Sequence, residues 1–375
     1  MADKHLLLAG GGHAQVEVLR QWAERPLAGW RVTLLTREAH SPYSGMLPGV
    51  AAGLYRPGDA LIDIRALVAR AGATLLVDSV RGLDPTARLL RREGGAPIPY
   101  DLLSINTGAT PDLGQVPGAS ANAVPLKPID TLLPRLAALE AGARPGQAIA
   151  VVGAGAAGTE MALALAARLG PRGVRLTLVV GGAGLLPGLP EGFRRRARAA
   201  LATAGIALLE GEEVAEVTEV GLGFRRRTAL AADTVLWATG AAPAAWLAES
   251  GLARDARGFL LVEPTLQAVG HPAIFAAGDV ASLRDAPLPK AGVVAVRQGP
   301  VLARNLRAAA EGRALEAYRP QRDWLILLAT GDGRALGTRN GLVFAGRWVW
   351  WWKDRIDRRF MARYWVSAET GGERG

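Results

Sequence analysis

The chain has 375 residues, of which 50% are hydrophobic and 21% charged; this composition excludes a disordered protein and allows two or three domains. Lysine and arginine number 44 against 34 acidic residues, and the resulting charge of +10 favours anionic partners such as dinucleotides, acidic lipid or nucleic acid. Cysteine is absent, which excludes a disulfide framework, a thiolate metal site, a cysteine nucleophile and a CxxC redox pair. Any redox chemistry must therefore belong to a bound cofactor.

The first predicted element is a buried strand, HLLLAG, which leads into a glycine turn and then a helix. The apolar run at this start is too short for a signal peptide, so we expect a cytoplasmic protein. The turn reads GGGHAQ and matches the fingerprint G-x-G-x-x-G at Gly10 and Gly12, with Gln15 in place of the third glycine. Gly10 permits the tight turn, and Gly12 lets backbone N–H groups approach a pyrophosphate. Gln15 predicts looser packing of the helix on the strand, and an ordinary tight turn is the alternative reading.

Several residues near this turn are further candidates for the same dinucleotide. His13 and Ala14 lie inside the turn. The next strand, WRVTLLT, should end in an acid that binds a ribose, and Glu38 could serve in a displaced position. A later strand, in YDLLSINTGATP, ends at Thr107 and Gly108.

The second glycine turn, VVGAGAAGTE, carries all three fingerprint glycines, Gly153, Gly155 and Gly158, between a predicted strand and a predicted helix. Residues 148–167 are the most membrane-like stretch, but the glycines and Glu160 favour a strand, turn and helix over a membrane span. The following strand, GVRLTLVV, ends in two glycines without a carboxylate, so NADH and NADPH both remain open.

Two later strands also lead to glycines, and the first of them repeats the plan of YDLLSINTGATP. DTVLWATGAAP ends at Gly240, and HPAIFAAGDVA delivers Gly278 and Asp279 to a predicted helix start. Two fingerprints in one chain indicate two nucleotide-binding domains, and hydride chemistry gives a reason for both, because one site can hold a flavin while a nicotinamide visits the other.

This ordered set of motifs resembles the flavoproteins with two dinucleotide-binding domains, the pyridine nucleotide-disulfide oxidoreductase superfamily. The resemblance covers nearly the whole chain and implies that Gly10, Gly12 and Asp279 bind FAD. It also implies that NADH or NADPH visits a site lined by Gly153, Gly155, Gly158 and Glu160. The absence of cysteine departs from the disulfide reductases and points to the branch of the type II NADH dehydrogenases.

Two segments are similar to a narrower family, the flavoproteins fused in front of selenophosphate synthetase (selenide, water dikinase). These segments are SPYSGMLPG, residues 41–49, and KDRIDRRFMARY, residues 353–364. We expect the first to form a loop near the flavin, with a glycine- and proline-rich surface loop as the alternative.

The electron acceptor is predicted to meet the flavin at PLPKAGVVAVRQGPVLARNL, which resembles the helix whose N-terminus points at the isoalloxazine ring. Gln298 and Lys290 are candidate catalytic residues there, although a solvated lysine is the alternative for Lys290. Glu160 of the predicted nicotinamide site is the third catalytic candidate. Val293 and Arg297 replace the two glutamines of the quinone motif in type II dehydrogenases, which puts a quinone in doubt. The four histidines show no ligand spacing, so no metal site is expected.

The C-terminal residues 344–365 combine tryptophans with arginines. One helical face carries the apolar residues Trp348, Trp352, Ile356, Phe360 and Tyr364. This pattern suits peripheral contact with an anionic membrane on its cytoplasmic face. The alternative is internal packing or a homodimer contact. No recognised motif accompanies the basic residues, so we expect no nucleic-acid partner.

The predicted fold is α/β, with two Rossmann-like domains and a small α+β C-terminal unit. The FAD domain comprises residues 1–118 and 253–315, the NAD(P)H domain residues 119–252, and the C-terminal unit residues 316–375. The leading functional hypothesis is an FAD-dependent NAD(P)H dehydrogenase that passes electrons to a quinone-like acceptor. The alternatives are a soluble flavin reductase for a small selenium or sulfur compound, and an FAD-holding sensor with little turnover.

Overall fold

The computed structural model describes residues 3–321 and 324–366, so residues 367–375 of the predicted C-terminal unit lie outside the described part of the chain. The first part of the fold, before residue 119, contains a 3-10 turn, Pro57–Ala60. Its strands and helices are β1 (Lys4–Ala9), α1 (His13–Glu24), β2 (Trp30–Thr36), β3 (His40–Pro42), α2 (Leu47–Ala51), β4 (Leu61–Asp63), α3 (Ile64–Arg70), β5 (Thr74–Val77), β6 (Val80–Asp84), β7 (Leu89–Arg92), β8 (Gly95–Pro99) and β9 (Leu102–Ile105).

The middle segment begins with a short helix and ends before residue 253. It contains two 3-10 turns, Gly170–Arg172 and Ala245–Glu249. Its strands and helices are α4 (Ala119–Asn122), β10 (Ala123–Pro125), α5 (Ile129–Ala141), β11 (Ala148–Val152), α6 (Ala156–Leu169), β12 (Arg175–Val180), α7 (Glu191–Thr203), β13 (Ala207–Glu210), β14 (Val214–Thr218), β15 (Gly221–Phe224), β16 (Leu230–Ala231) and β17 (Thr234–Trp237).

The last segment returns to the first sheet and then forms a small unit of its own. The sequence predicted a helix start at Gly278 and Asp279, but Gly278–Val280 is only a single 3-10 turn. The strands and helices are β18 (Leu260–Val262), β19 (Gln267–Ala268), β20 (His271–Ala276), β21 (Ala281–Leu283), α8 (Gly292–Ala310), β22 (Ile326–Ala329), β23 (Ala335–Arg339), β24 (Leu342–Gly346) and α9 (Arg347–Ala362).

Two open sheets confirm the predicted α/β class with two Rossmann-like units. The larger sheet has the order β21-β18-β19-β20-β9-β1-β2-β5, and the smaller the order β10-β17-β11-β12-β13. The smaller sheet is parallel throughout, as is the β20-β9-β1-β2-β5 part of the larger. Strands β1 and β11 are buried nearly end to end, which explains their unbroken apolar runs. Along the chain, all strands of the smaller sheet come after β9 and before β18, which are strands of the larger sheet. The predicted domain boundaries stay predictions.

Strand order in the larger sheet determines where a site can form. Strands β20, β9, β1 and β2 are neighbours and run parallel, so their carboxyl ends meet along one edge. Gly278 follows β20, Asn106 follows β9, Gly10 follows β1 and Arg37 follows β2. Ligands of open α/β sheets bind outside such carboxyl ends.

The C-terminal unit bridges the two Rossmann-like units. Its three antiparallel strands, β22, β23 and β24, contribute Leu328 and Leu336 to the core of the smaller sheet. Phe360 of helix α9 and Tyr364, which follows that helix, instead pack against the side of the larger unit in a cluster with Val16.

Helix α9 buries a different face from the one its apolar pattern predicts. Trp348, Trp352 and Ile356 are exposed, whereas Lys353 and Asp357 are buried. Only the C-terminal part of the predicted apolar stripe, Phe360 and Tyr364, packs inward. Polar partners on neighbouring elements account for this reversal, as described below. In the described residues no helix has the length and hydropathy required to cross a bilayer.

Candidate functional site

A cleft of about 410 Å³ lies at the carboxyl edge of the larger sheet. The N-termini of two helices reach it, since His13 begins α1 and Gly292 begins α8, and both line the cleft. Helix N-termini carry partial positive charge and suit an anionic ligand. The other lining residues come mainly from residues 10–12, 35–38, 40–42, 78–81, 106–110 and 127–129.

The first glycine turn packs closely against the end of β9. Gly10 has φ +96°, and a Cβ at that position would lie 2.4 Å from the carbonyl oxygen of Asn106. A Cβ at Gly12 would lie 2.2 Å from Oδ1 of Asn106. Both predicted glycines are therefore required by the protein itself, in addition to any approach of a pyrophosphate.

Gln15 is held by hydrogen bonds inside the fold. Its side chain is completely buried, and Nε2 donates hydrogen bonds to the carbonyl oxygen of Ser104 at 2.8 Å and to Oγ of Ser104 at 3.0 Å. Helix α1 thus rests on β9 through a polar bridge where the fingerprint has a glycine. The predicted looser packing of helix on strand stays a prediction; the small Ser104 on β9 leaves room for the glutamine and satisfies its amide.

Asn106 is a residue that sequence reasoning missed. Its Oδ1 accepts a hydrogen bond from the backbone N of Ala14 at 3.1 Å, and its Nδ2 donates to the carbonyl oxygen of Ala277 at 2.6 Å. One amide therefore joins the glycine turn to the Gly278-Asp279 segment. An asparagine directly after a central parallel strand, beside the predicted Thr107 and Gly108, was the available signal.

Three polar atoms that face this region are buried without a hydrogen-bond partner among the described residues. They are Nε2 of His13, Oγ1 of Thr107 and Oδ1 of Asp279. Buried polar groups are nearly always hydrogen-bonded, so unpaired ones that line a cleft indicate a ligand. A pyrophosphate at the α1 N-terminus and polyol hydroxyls near Asp279 would satisfy them, and the residues present therefore fit FAD.

His13 provides a hydrogen-bond acceptor in the cleft. Burial lowers its pKa to about 4, so the ring is neutral at pH 7. The Pro42 carbonyl faces the ring and requires the proton on Nδ1, which leaves Nε2 as an acceptor. Tyr43 and Phe360 pack edge-on against the ring, with centroid distances of 5.6 and 5.8 Å.

Gln298 and Lys290 do not line the cleft. Oε1 of the buried Gln298 accepts a hydrogen bond from the backbone N of Gly278 at 2.7 Å, so Gln298 positions the turn that carries Asp279. Lys290 donates from Nζ to the carbonyl oxygen of Ala281 at 2.6 Å and lies 3.8 Å from the ring centroid of Phe259. Lys290 is half-buried in these two contacts, and burial lowers its pKa to about 8, which weakens the solvated alternative. The predicted catalytic roles of Gln298 and Lys290 stay predictions.

Four other predicted residues, Glu38, Thr107, Gly108 and Gly240, follow strands of the two sheets. Glu38 follows β2 and lines the cleft, as do Thr107 and Gly108. Gly240 has φ +62° and packs against Asp112, where a Cβ would lie 2.9 Å from the aspartate Cβ. An isolated bridge between residues 110 and 242 joins these two loops.

The second glycine turn has three glycines with different surroundings. Gly153 has φ +152°, and a Cβ at Gly158 would lie 2.5 Å from the carbonyl oxygen of Gly153. A Cβ at Gly155 would meet no described atom within 4 Å. Gly155, Ala156 and Ala157 are exposed at the N-terminus of α6, so the backbone there is open to a pyrophosphate.

Glu160 faces the C-terminal unit. Its Oε1 accepts a hydrogen bond from the backbone N of Ala329 at 2.7 Å. Burial raises the pKa of Glu160 to about 7, against the opposing effect of Lys353. Glu160 thus links the second fingerprint helix to the C-terminal strands and does not line the first cleft.

The structure brings together residues 41–49 and 353–364, the two segments behind the narrower resemblance. Nζ of Lys353 donates to the carbonyl oxygen of Gly45 at 2.6 Å and pairs with Asp357 at 2.7 Å. The hydroxyl of Tyr43 donates to Asp357 at 3.1 Å, and its ring stacks on Phe360 with a centroid distance of 4.3 Å. Residues 41, 42 and 44 of the loop line the cleft, so α9 holds one cleft wall in place.

Comparison with known proteins agrees with this arrangement. The chain is 34% identical over 257 residues to the alternative NAD(P)H-ubiquinone oxidoreductase C1 of Arabidopsis thaliana, covering 61% of this chain and 49% of that protein. It is 31% identical over 263 residues to the demethylphylloquinone reductase NdbB of Synechocystis, covering 68% of this chain and 63% of that protein. The matches therefore span less than two thirds of either relative.

The same architecture occurs in a solved structure of NDH2 from Plasmodium falciparum in complex with NADH. The TM-score is 0.80 at 14% identity, with coverage of 96% of this chain and 97% of that chain, which shows a shared fold. Residues 4–299 match the family described as pyridine nucleotide-disulphide oxidoreductase. This match includes both glycine turns and the Gly278-Asp279 segment, and the chain belongs to the pyridine nucleotide-disulphide oxidoreductase family.

Proposed function

We propose that the chain is an FAD-dependent NAD(P)H dehydrogenase that delivers electrons to a quinone-like acceptor. The observation that carries the proposal is the meeting of unpaired His13, Thr107 and Asp279 atoms with two helix N-termini in one cleft. FAD, when bound, supplies the chemistry of accepting a hydride and passing electrons on.

The chain's own residues have separable roles in this proposal. The glycine turn and the α1 N-terminus bind the pyrophosphate, and Glu38 faces the ribose. His13 and Asp279 accept hydrogen bonds from polyol hydroxyls, and Gln298 holds the turn that carries Asp279. The α6 N-terminus binds the visiting NADH or NADPH; Gly181 and Gly182 after β12 provide no carboxylate to distinguish the two.

The names of the two relatives support a quinone-like acceptor, since one is a ubiquinone oxidoreductase and the other a demethylphylloquinone reductase. The test is NADH and NADPH oxidation by FAD-loaded protein with a short-chain ubiquinone, menadione or no acceptor. We expect oxidation that depends on both FAD and quinone. A rate of NADH or NADPH oxidation that does not change when quinone is added would contradict a quinone-like acceptor.

A small selenium or sulfur compound is the second candidate acceptor. It rests on the resemblance of residues 41–49 and 353–364 to the flavoproteins fused to selenophosphate synthetase. The contact between these two segments at the cleft wall supports it, as does exposed Val293 in place of a quinone-motif glutamine. Of the two observations behind the sensor alternative, Gln15 has a structural partner in Ser104, whereas the missing strand-end acids remain.

Peripheral attachment to the cytoplasmic face of a membrane is a separate proposal about α9. Trp348, Trp351 and Trp352 are 56%, 80% and 36% exposed, and exposed Arg355 and Arg359 flank them. Aromatic side chains with flanking cations suit the interface of an anionic bilayer. Cosedimentation with phosphatidylglycerol vesicles but not with phosphatidylcholine vesicles is the expected result. A salt-insensitive homodimer without vesicle binding would instead assign the exposed tryptophans to a subunit contact.

A further inference from the structure

Lys127 connects the smaller Rossmann-like unit to the flavin cleft. It follows β10, the edge strand of the smaller sheet, and its Nζ lies 2.5 Å from Oδ2 of Asp279. Asp279 follows β20 of the larger sheet, so this ion pair crosses between the two units. The Lys127 side chain is 41% exposed and that of Asp279 only 10%, and both residues line the cleft.

Lys127 is the cation paired with Asp279 in the described part of the chain. The second carboxylate oxygen, Oδ1, is buried and free for a ligand hydroxyl. His13 is neutral at pH 7, and the ammonium of nearby Lys290 is bound to the carbonyl oxygen of Ala281. Without Lys127, the nearly buried carboxylate of Asp279 would have no ion-pair partner among the described residues, and only the more distant charge of Lys290 would act on it.

We propose that Lys127 is a positioning residue that neutralises Asp279 and so allows the cleft to accept negative charge when the flavin is reduced. This inference rests on the proposed function. Hydride transfer brings two electrons and one proton into the cleft and leaves one additional negative charge there, while the nicotinamide ring that loses the hydride becomes cationic. An unbalanced carboxylate in the lining of the same cleft would oppose that additional charge, because screening is weak in a partly buried site.

The test measures the equilibrium constant for two-electron reduction of FAD-loaded protein against a reference dye. We expect Lys127→Met to lower this constant at least about tenfold relative to the wild type, equivalent to ~30 mV for a two-electron couple. Lys127→Arg should restore the wild-type value. Lys127→Gln keeps a hydrogen-bond donor for Asp279 but removes the charge, so it should behave like Lys127→Met.

Arg284→Met is the matched control, because Arg284 pairs with Glu263 at 2.6 Å, its side chain is 44% exposed, and it lies outside the cleft lining. It should leave the equilibrium constant unchanged. Wild-type values in Lys127→Gln, measured with excess FAD so that loss of cofactor cannot mask the effect, would overturn the proposal. Dithionite serves as the reductant and needs no nicotinamide. Wild-type protein that dithionite reduces but NADH and NADPH do not would count against the proposed function alone.

Discussion

The hydroxyl of Tyr43 donates a hydrogen bond of 3.1 Å to Oδ1 of Asp357, which lies 314 positions away in the chain. Asp357 also pairs with Lys353, whose Nζ binds the carbonyl oxygen of Gly45. A buried network therefore fastens the loop at residues 43–49 to α9. The C-terminal helix holds the wall of the flavin cleft as well as carrying the exposed tryptophans.

Tyr43→Phe should lower the free energy of unfolding by about 1–2 kcal/mol, because a hydrogen bond to a buried carboxylate is lost while the aromatic stacking on Phe360 remains. Urea unfolding of the FAD-free protein measures this change. Tyr100→Phe is the control, since the buried Tyr100 hydroxyl has no partner among the described residues and its removal should cost almost nothing. Equal effects of the two substitutions would show that the Tyr43 hydrogen bond is not stabilising.

Restoring the fingerprint by Gln15→Gly should harm the protein. The change removes two buried hydrogen bonds to Ser104, leaves a cavity and places glycine in a helix, with an expected cost of about 2–3 kcal/mol. Affinity for FAD should stay the same or fall. A gain in FAD affinity, measured by equilibrium dialysis, would contradict the structural role of Gln15.

The second glycine turn allows a paired test of ligand against fold. Gly155→Ala should change stability by less than ~0.5 kcal/mol, since its Cβ meets no described atom within 4 Å. It should nevertheless weaken NADH and NADPH binding by about tenfold or more, because the methyl group occupies the space of the pyrophosphate. Binding can be followed by nicotinamide fluorescence.

Gly158→Ala should instead reduce the stability of the fold. Its Cβ would lie 2.5 Å from the carbonyl oxygen of Gly153, so the backbone must shift and the melting temperature should fall by several degrees. If Gly155→Ala binds both nucleotides normally, the α6 N-terminus is not the nicotinamide site.

Glu160→Gln should change how stability depends on pH. Burial raises the pKa of Glu160 from 4.5 to about 7, so the folded state holds this proton more tightly than the unfolded chain does. The stabilisation is complete below pH 4.5 and is lost as the pH rises through 7. Glutamine stays neutral and still accepts the hydrogen bond from Ala329.

The Glu160→Gln protein should therefore gain stability over the wild type between pH 5 and pH 8, by about 3 kcal/mol at the upper end. Thermal unfolding across this range measures the difference. Glu219→Gln, which neutralises an exposed carboxylate, should run parallel to the wild type. A constant offset between Glu160→Gln and the wild type would mean that Glu160 is already ionised at pH 5.

Local sequence patterns were sufficient to predict the buried strands and the glycine turns of both Rossmann-like units. The strands leading to Gly10 and Gly153 are continuous apolar runs, and strands buried on both faces have this signature. The two glycine turns follow from backbone geometry that few other residues adopt. These features placed both Rossmann-like units in order along the chain.

What the sequence could not indicate depends on partners that are distant in the chain. The buried face of α9 carries Lys353 and Asp357 because these side chains bind Gly45 and Tyr43. Those partners lie about 300 positions away in the chain, so the local sequence does not reveal them. Asn106 and Lys127 likewise gain their roles from Ala277 and Asp279. Helical periodicity describes apolarity along one element, and it contains no information about which polar groups another element presents.

The central claim is that this cleft holds FAD and that the flavin accepts a hydride from nicotinamide. Its most direct test is an anaerobic titration of purified, FAD-loaded protein with NADH and then with NADPH, followed through the visible flavin absorption. We predict that at least one donor bleaches the flavin band stoichiometrically and that Gly155→Ala requires far more of that donor. A flavin band that neither donor bleaches, in protein that dithionite still reduces, would contradict the claim.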